Sequence, residues 1–569
     1  MPQHLGDAMQ TIDRIILTAQ AAGEVIAFDE GISFWGGVDP DTGRVIDAHH
    51  PAHGEGLAGR IVLMPTSRGS CSGSGVLLQL ALSGHAPAAL VFREAEEVLT
   101  LGALIAARMF DRPLAVLRLS AASYAALAGE SHAEIAGDRL RAGTLDLPLM
   151  PVTPGDLALD AGDLARSEGA AGRAVQLAQE VLGTMAAVQG ATRLIDVTRG
   201  HIDGCILAHD ANLIFAEAMA EMGAQVAIPT TINAISVDRQ GWRDRGVPPV
   251  FGNKASRLAD AYVRMGVAPT FTCAPYQGVS VPAQGEVIGW SESNAVIYAN
   301  SVLGARTAKH PDYLDLFIAM TGRAPETGVY LDANRVAEVV IEVDAPDGAD
   351  DALWPLLGWL AGRLAPDRVP VLQGVAGLSP SPDDLRAVCA AFGTTSASAL
   401  LHVAGVTPEG DAPPRPGAPV LQITRGDIAA AWAEFNQGPE AVELIAIGSP
   451  HAALSELRAF DAALAGRSCA PGVAAILTVG RDVLEGARAD GLLARLEGAG
   501  VQVIPDLCWC SITEPVFPPG ARTLMTNSGK YAHYAPGLSA RAVRFGGIAA
   551  CAEAAVTGRA QAAPPVWLA

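Results

Sequence analysis

The strongest constraint on the fold is an alternation that recurs along the chain: a short apolar run, a turn, then a segment with helical periodicity. Arg60–Pro65 is such a run. It is followed by the loop Thr66-Ser67-Arg68-Gly69-Ser70-Cys71-Ser72-Gly73-Ser74-Gly75, an apolar helix over Val76–Leu82 and a second run, Ala89–Arg93. This is the pattern of a βαβ unit. A further helix over residues 98–109 leads to a strand at Leu114–Leu119. The turn Asp39-Pro40-Asp41-Thr42-Gly43 between Ile32–Trp35 and Val45–Asp47 predicts a hairpin. Residues 1–135 therefore read as a compact β/β/α domain. Periodicity lapses over residues 121–160, where Gly, Pro and Asp collect, and residues 136–159 read as a linker.

A larger α/β domain is expected over residues 160–569. Val175, Ala178, Leu182 and Met185 recur at helical spacing, followed by a β-like run at Thr192–Thr198. Helix Leu213–Met222 and the run Gln225–Pro229 continue the alternation. The later runs Val336–Val343, Val369–Leu372 and Val442–Ile447 each precede a helical segment, which is how a parallel sheet reads in sequence. Thr407–Pro419, rich in proline, reads as a surface loop.

At 569 residues the chain exceeds what one hydrophobic core holds. A formal net charge of −21 argues against nucleic acid or an anionic membrane as partner. The start, MPQHLGDAMQTIDR, shows no signal-peptide pattern, and no apolar run is long enough to span a bilayer. Eight cysteines in so long a chain suit a reducing, cytoplasmic setting rather than a disulfide scaffold.

Three groups of residues carry chemistry. The Gly/Ser loop around Ser70 could receive an anion on backbone amides at the following helix, or be a solvated connection; it lacks the GxxxxGK[ST] phosphate loop. Cys508 and Cys510 form a C-x-C that could share a metal only if the chain turns there. Cys273, in the polar stretch Thr272–Arg306 with Glu292, Ser293, Asn294, Asn300 and Arg306, is the natural third thiol. Three thiolates suit an iron–sulfur cluster with one open iron, or a zinc site with a free position; buried unligated thiols are the plainer alternative. Lys530, in Thr526-Asn527-Ser528-Gly529-Lys530-Tyr531-Ala532-His533-Tyr534, suits carboxylate binding or a hydrated loop.

These segments, with Gly448-Ser449-Pro450-His451, together resemble the aconitase X family from about residue 12 to about residue 560. The resemblance implies a swivelling β/β/α small domain fused to a larger aconitase-like, multi-layer α/β body, with the active site between the two parts. It implies Ser70 as the catalytic base and Gly204, Cys205, Asn233, Glu292, Ser293 and Lys530 as substrate contacts. The archaeal branch, which dehydrates mevalonate 5-phosphate, has cysteine at the place of Ser449, its other cluster cysteines falling on Cys273 and Cys508. Here Cys510 offers a replacement. The change is similar to the bacterial fused branch, whose members dehydrate cis-3-hydroxy-L-proline, and it implies a 2Fe–2S rather than a 4Fe–4S cluster on Cys273, Cys508 and Cys510. Cys71, Cys389, Cys469 and Cys551 read as packing.

The implied reaction removes water from cis-3-hydroxy-L-proline. Ser70 would act as base, its pKa lowered by loop amides and Arg68; an open iron would receive the hydroxyl. Lys530 would hold the carboxylate, and Glu292 the ring ammonium or the leaving group. Rival readings are a dehydratase of a phosphorylated hydroxy acid, a non-catalytic iron–sulfur sensor and a zinc hydrolase. Whether the chain is a monomer or a homo-oligomer is left open by the sequence.

Overall fold

The computed structural model describes residues 12–47, 50–278 and 281–568. Residues 1–11, on which most of the reading of the N terminus rests, lie outside the described residues, as do residues 279 and 280 of the Thr272–Arg306 stretch. The chain is α/β and divides into two compact units. One contains the chain to Gly200 with Ala208–Pro229 and His310–Thr327; the other contains His201–Leu207, Thr230–Lys309 and Gly328–Ala569.

Among the described residues, the first unit holds a nine-stranded mixed sheet. Its centre is the parallel set Ala21–Ala27, Ile61–Met64, Ala89–Phe92 and Ala115–Arg118. Ile61–Met64 and Ala89–Phe92 are buried at every position, which is why they read as unbroken apolar runs rather than alternating ones. Helices Gly73–Ser83 and Val98–Phe110 follow two of these strands and pack on each other.

Two expectations differ from the fold. The hairpin at Ile32–Asp47 reduces to the single bridge Val38–Val45, because Gly36 and Gly43 adopt positive φ and turns such as Gly43 N to Asp39 O, 2.9 Å, take the backbone groups a ladder would need. Residues 136–159, read as a linker, carry strands Arg139–Ala142, Leu145–Pro148 and Met150–Pro151 of the same sheet. Their turns at Gly137 and Gly143, both at positive φ, look like loop sequence when the intervening four-residue strands are half exposed.

Among the described residues, the second unit holds two all-parallel sheets where one was read, beside a smaller sheet that orders Thr230–Ile232, Gly200–Ile202 and Gly289–Trp290. The first orders His402–Val403, Pro370–Gln373, Val339–Val343 and Val420–Ile423. The other orders Val501–Pro505, Ala474–Val479, Leu444–Ala452, Thr523–Thr526 and Ala542–Phe545. Helices Leu353–Leu364, Pro382–Thr395 and Gly529–Ser539 close a core with Trp354, Phe392, Trp509 and Tyr531. The run Gln225–Pro229 is not a strand; pairing starts at Thr230–Ile232, past the proline that cannot donate to a ladder. No helix among the described residues is long and apolar enough to cross a membrane.

Candidate active site

In the second unit, the ends of strands Val501–Pro505 and Leu444–Ala452, which flank Ala474–Val479 in one sheet, and one loop bring the three thiols together. After Val501–Pro505 the chain breaks at Asp506, a non-glycine residue at φ 69°. It then turns so that Ser511 N donates to Cys508 O at 3.0 Å. That turn lets both cysteines of the C-x-C face one side, with Cys510 N 3.5 Å from Cys508 Sγ. Cys273, Cys508 and Cys510 pack together around Ala234.

The turn is fastened at several points. Ile235 N donates to Asp506 O at 2.8 Å, and Trp509 Nε1 to Ile447 O at 2.8 Å. His451 spans both thiol segments: its backbone N donates to Cys273 Sγ at 3.2 Å, and its Nε2 donates to Leu507 O at 3.0 Å. A carbonyl can only accept, so Nε2 carries the proton and Nδ1 accepts from Thr272 Oγ1, 3.1 Å away. Burial pushes the ring down to about 4, so it serves as a neutral strut. The Asp506 carboxyl is pushed up to about 6 by burial, against the pull of Arg481 at 2.5 Å.

Lys530 and Glu292 complete the polar wall. Lys530 lies in the first turn of helix Gly529–Ser539, whose N-cap Ser528 accepts from Tyr531 N at 3.0 Å. A Cβ on Gly529 would stand 2.9 Å from Pro355 Cβ, so glycine lets the helix start close against Leu353–Leu364. Lys530 Nζ donates to Glu292 Oε1 at 2.9 Å. Burial alone would raise the Glu292 pKa, but Lys530 and the Asn294 amide outweigh it and hold the carboxyl below its usual range. Beside it, burial pushes His201 down to about 3, and its Nε2 has no hydrogen-bond partner among the described residues.

The other residues named from the sequence fall in two places. Cys205 Sγ donates to Asn233 O at 3.4 Å and Ala234 O at 3.3 Å, which sets Cys205 and Asn233 next to the thiol group through Ala234. Asn233 Nδ2 donates to Asp203, and Gly204 O accepts from Tyr262 OH at 3.1 Å. Ser293 opens the helix Ser293–Tyr298 directly after Glu292. Ser70 belongs to the first unit, where its Oγ accepts from Ser72 N at 3.3 Å just before helix Gly73–Ser83. Arg68, expected to lend positive charge to Ser70, is paired instead with Glu30 at 2.6 Å.

Sequence reading missed His451 as a fastener and Tyr276 as a partner of Asn294. The Gly-Ser-Pro-His motif was the only signal for the first; nothing local marked the second. Ser449 Oγ is buried without a hydrogen-bond partner among the described residues.

Three thiols in contact oppose one another's ionisation. Contact with Cys273 and burial hold Cys508 protonated well above the ordinary thiol range, and contact with Cys508 and burial do the same for Cys510. A bound cation reverses that balance, and a cluster of buried thiols is the donor set that iron or zinc takes. No group of three or more His, Cys, Asp or Glu among the described residues is spaced as a ready cage for a single metal ion. The chemistry of the donors fits an iron–sulfur group, whose sulfides occupy space between the thiolates.

Four domains of one family match the chain in succession: the aconitase X swivel domain over residues 10–143, the first domain over 156–333, the second over 337–433 and the third over 442–557. A cis-3-hydroxy-L-proline dehydratase of Pseudomonas aeruginosa is 46% identical over 574 residues, 98% of either chain. One of Hypocrea jecorina is 45% identical over 559 residues, 95% of this chain and 94% of that one. The crystal structure of Thermococcus kodakaraensis aconitase X in its holo-form is 29% identical, with a TM-score of 0.63, over 70% of this chain and 100% of that one. Fold and matches define a swivel domain joined to a three-domain α/β body. The chain belongs to the aconitase X family, whose kinship with aconitase suggests an iron–sulfur cluster.

Proposed function

We propose that this protein is a hydro-lyase that dehydrates cis-3-hydroxy-L-proline to Δ1-pyrroline-2-carboxylate. One observation carries the reading: a buried Lys530–Glu292 pair adjoins three thiols in a chain 46% identical, over 98% of its length, to a dehydratase of that substrate. The substrate is a zwitterion with its ammonium and carboxylate on one carbon. A lysine and a glutamate 2.9 Å apart present the complementary charges at matching spacing. Lys530 holds the carboxylate and Glu292 the ring ammonium.

In the cis isomer the 3-hydroxyl lies anti to the α-hydrogen, so a base on one face and a Lewis acid on the other suit the elimination. Ser70 takes the α-proton, its alkoxide favoured by the Ser72 amide and the N-terminal end of helix Gly73–Ser83. A cluster on Cys273, Cys508 and Cys510, when bound, supplies an iron Lewis acid for the departing hydroxyl. Gly204, Cys205, Asn233 and Ser293 line the substrate. Loss of the α-proton and hydroxyl leaves an enamine, which tautomerises to the cyclic imine.

A 2Fe–2S cluster is favoured over 4Fe–4S, because the third thiolate comes from Cys510, two residues from Cys508, and Ser449 brings none. The small part, which runs on through strand Met150–Pro151 of its sheet, carries the base; the large part, from about residue 160, carries the thiols. Eight free cysteines suit a reducing cytoplasm. The test is iron, acid-labile sulfide and turnover of cis-3-hydroxy-L-proline on one anaerobic preparation. Cluster with turnover supports the reading; active protein without iron overturns the cluster, and cluster without turnover overturns the substrate.

A further inference from the structure

Glu292 is gripped on one oxygen only. Lys530 Nζ donates to Oε1 at 2.9 Å, and Asn294 Nδ2 donates to the same atom. No described residue donates to Oε2. The carboxylate is thus turned with one oxygen saturated by the protein and the other left to accept from something else.

What fixes that turn lies one step further back. An asparagine amide has a donor end and an acceptor end, and either could face Glu292 unless a second neighbour decides. Tyr276 is that neighbour, its hydroxyl donating to Asn294 Oδ1 at 2.9 Å. With Oδ1 so occupied, Nδ2 is committed to the carboxylate. The tyrosine is itself immobilised. Its ring stacks on Tyr298 at a centroid distance of 4.0 Å and 20° between planes. Asn294 and Tyr298 stand four residues apart on helix Ser293–Tyr298 and so share one face. One helical face therefore clamps Tyr276 at both ends, ring against Tyr298 and hydroxyl against Asn294. Asn294 is 1% exposed and Tyr276 8%, so water does not compete for these bonds.

We propose that Tyr276 is a positioning residue for substrate binding, acting through Asn294 to aim Oε2 of Glu292 at the ring ammonium of an α-imino acid. The proposal rests on the dehydratase reading for the identity of the ligand. The arrangement also bears on selectivity: a carboxylate oxygen to which no described residue donates favours a secondary ammonium over a neutral ring or a second anion.

The test is a double-mutant cycle with Tyr276→Phe, which keeps the ring stack, and Asn294→Ala. Tyr276→Phe should lower kcat/KM about tenfold, mainly by raising KM. Asn294→Ala should cost more, and the double variant should equal Asn294→Ala alone, because the tyrosine acts only through the amide. Losses that multiply would overturn the proposal. The second readout needs no turnover: a crystal structure of Tyr276→Phe should show the Glu292 carboxylate rotated from its wild-type position, and an unmoved carboxylate would equally overturn it. Wild-type protein unable to turn over cis-3-hydroxy-L-proline would instead sink the substrate reading, leaving the crystallographic result to decide the positioning role.

Discussion

The ammonium of Lys530 and the carboxylate of Glu292 meet at 2.9 Å, their side chains only 13% and 8% exposed. Removing one member leaves the other charge buried and unpaired, which costs about 3–5 kcal/mol. Lys530→Met should therefore lower the urea midpoint of the unit that carries it and cut kcat/KM on the order of a hundredfold or more. Glu292→Gln, which keeps the shape, should lose activity with a smaller loss of stability. The folded pKa of Glu292 lies below its ordinary 4.5, so its stabilisation is complete above that value and is lost as pH falls through the folded pKa. Acid unfolding of wild type and Glu292→Gln, compared on one scale, reads this directly: the variant should lack that part of the acid sensitivity.

Ser70 is tested by deletion of its oxygen. Ser70→Ala should reduce kcat by a factor of about 10²–10⁴, the usual range for a general base, with iron and sulfide per chain unchanged. The hydroxyl's described neighbours are Ser72 N and Ser72 Oγ, at 3.3 and 3.4 Å, so the variant leaves no buried partner stranded. Undiminished turnover would remove Ser70 from the mechanism.

The thiols separate by metal content. Cys510→Ser should give folded protein with lower iron and sulfide and weakened visible absorbance, because no other described thiol packs in that group to replace it. Cys389→Ser and Cys551→Ser should retain wild-type iron, since these cysteines sit in apolar cores. Chelation should bleach the wild type without unfolding it.

A structural control lies in the first unit. Asp163, fully buried, accepts from Arg323 Nη2 at 2.9 Å, Arg323 Nε at 3.0 Å and Arg166 Nη2 at 2.7 Å. Asp163→Asn breaks this set and should destabilise by about 3–5 kcal/mol, read by urea unfolding, while iron content stays at the wild-type level.

How much was legible in the sequence follows burial. Ile61–Met64 and Ala89–Phe92 lie inside a parallel sheet and announce themselves as apolar runs. Arg139–Ala142 and Leu145–Pro148 have a wet face and glycine turns, and vanish into apparent linker. The C-x-C was legible because ordinary packing rarely spaces thiols so. The turn that lets Cys508 and Cys510 face one way depends on Asp506 being held by Ile235 and Arg481, residues remote in the chain. Arg68 shows the converse: its charge was legible and its partner, Glu30, was not. Local pattern reports what a residue offers, while long-range pairing decides what it is left free to do.

Cys273 and the C-x-C turn come from distant parts of the chain and are held together by His451, which stands on a third segment, the end of strand Leu444–Ala452. An unfolded polypeptide would present at most the two thiols of the C-x-C. On the proposed ligation, delivery of a cluster waits until the five-stranded sheet has formed, and a maturation factor would meet a folded chain rather than a nascent one. Starving the cell of iron should accumulate folded apoprotein awaiting its cluster, not misfolded debris.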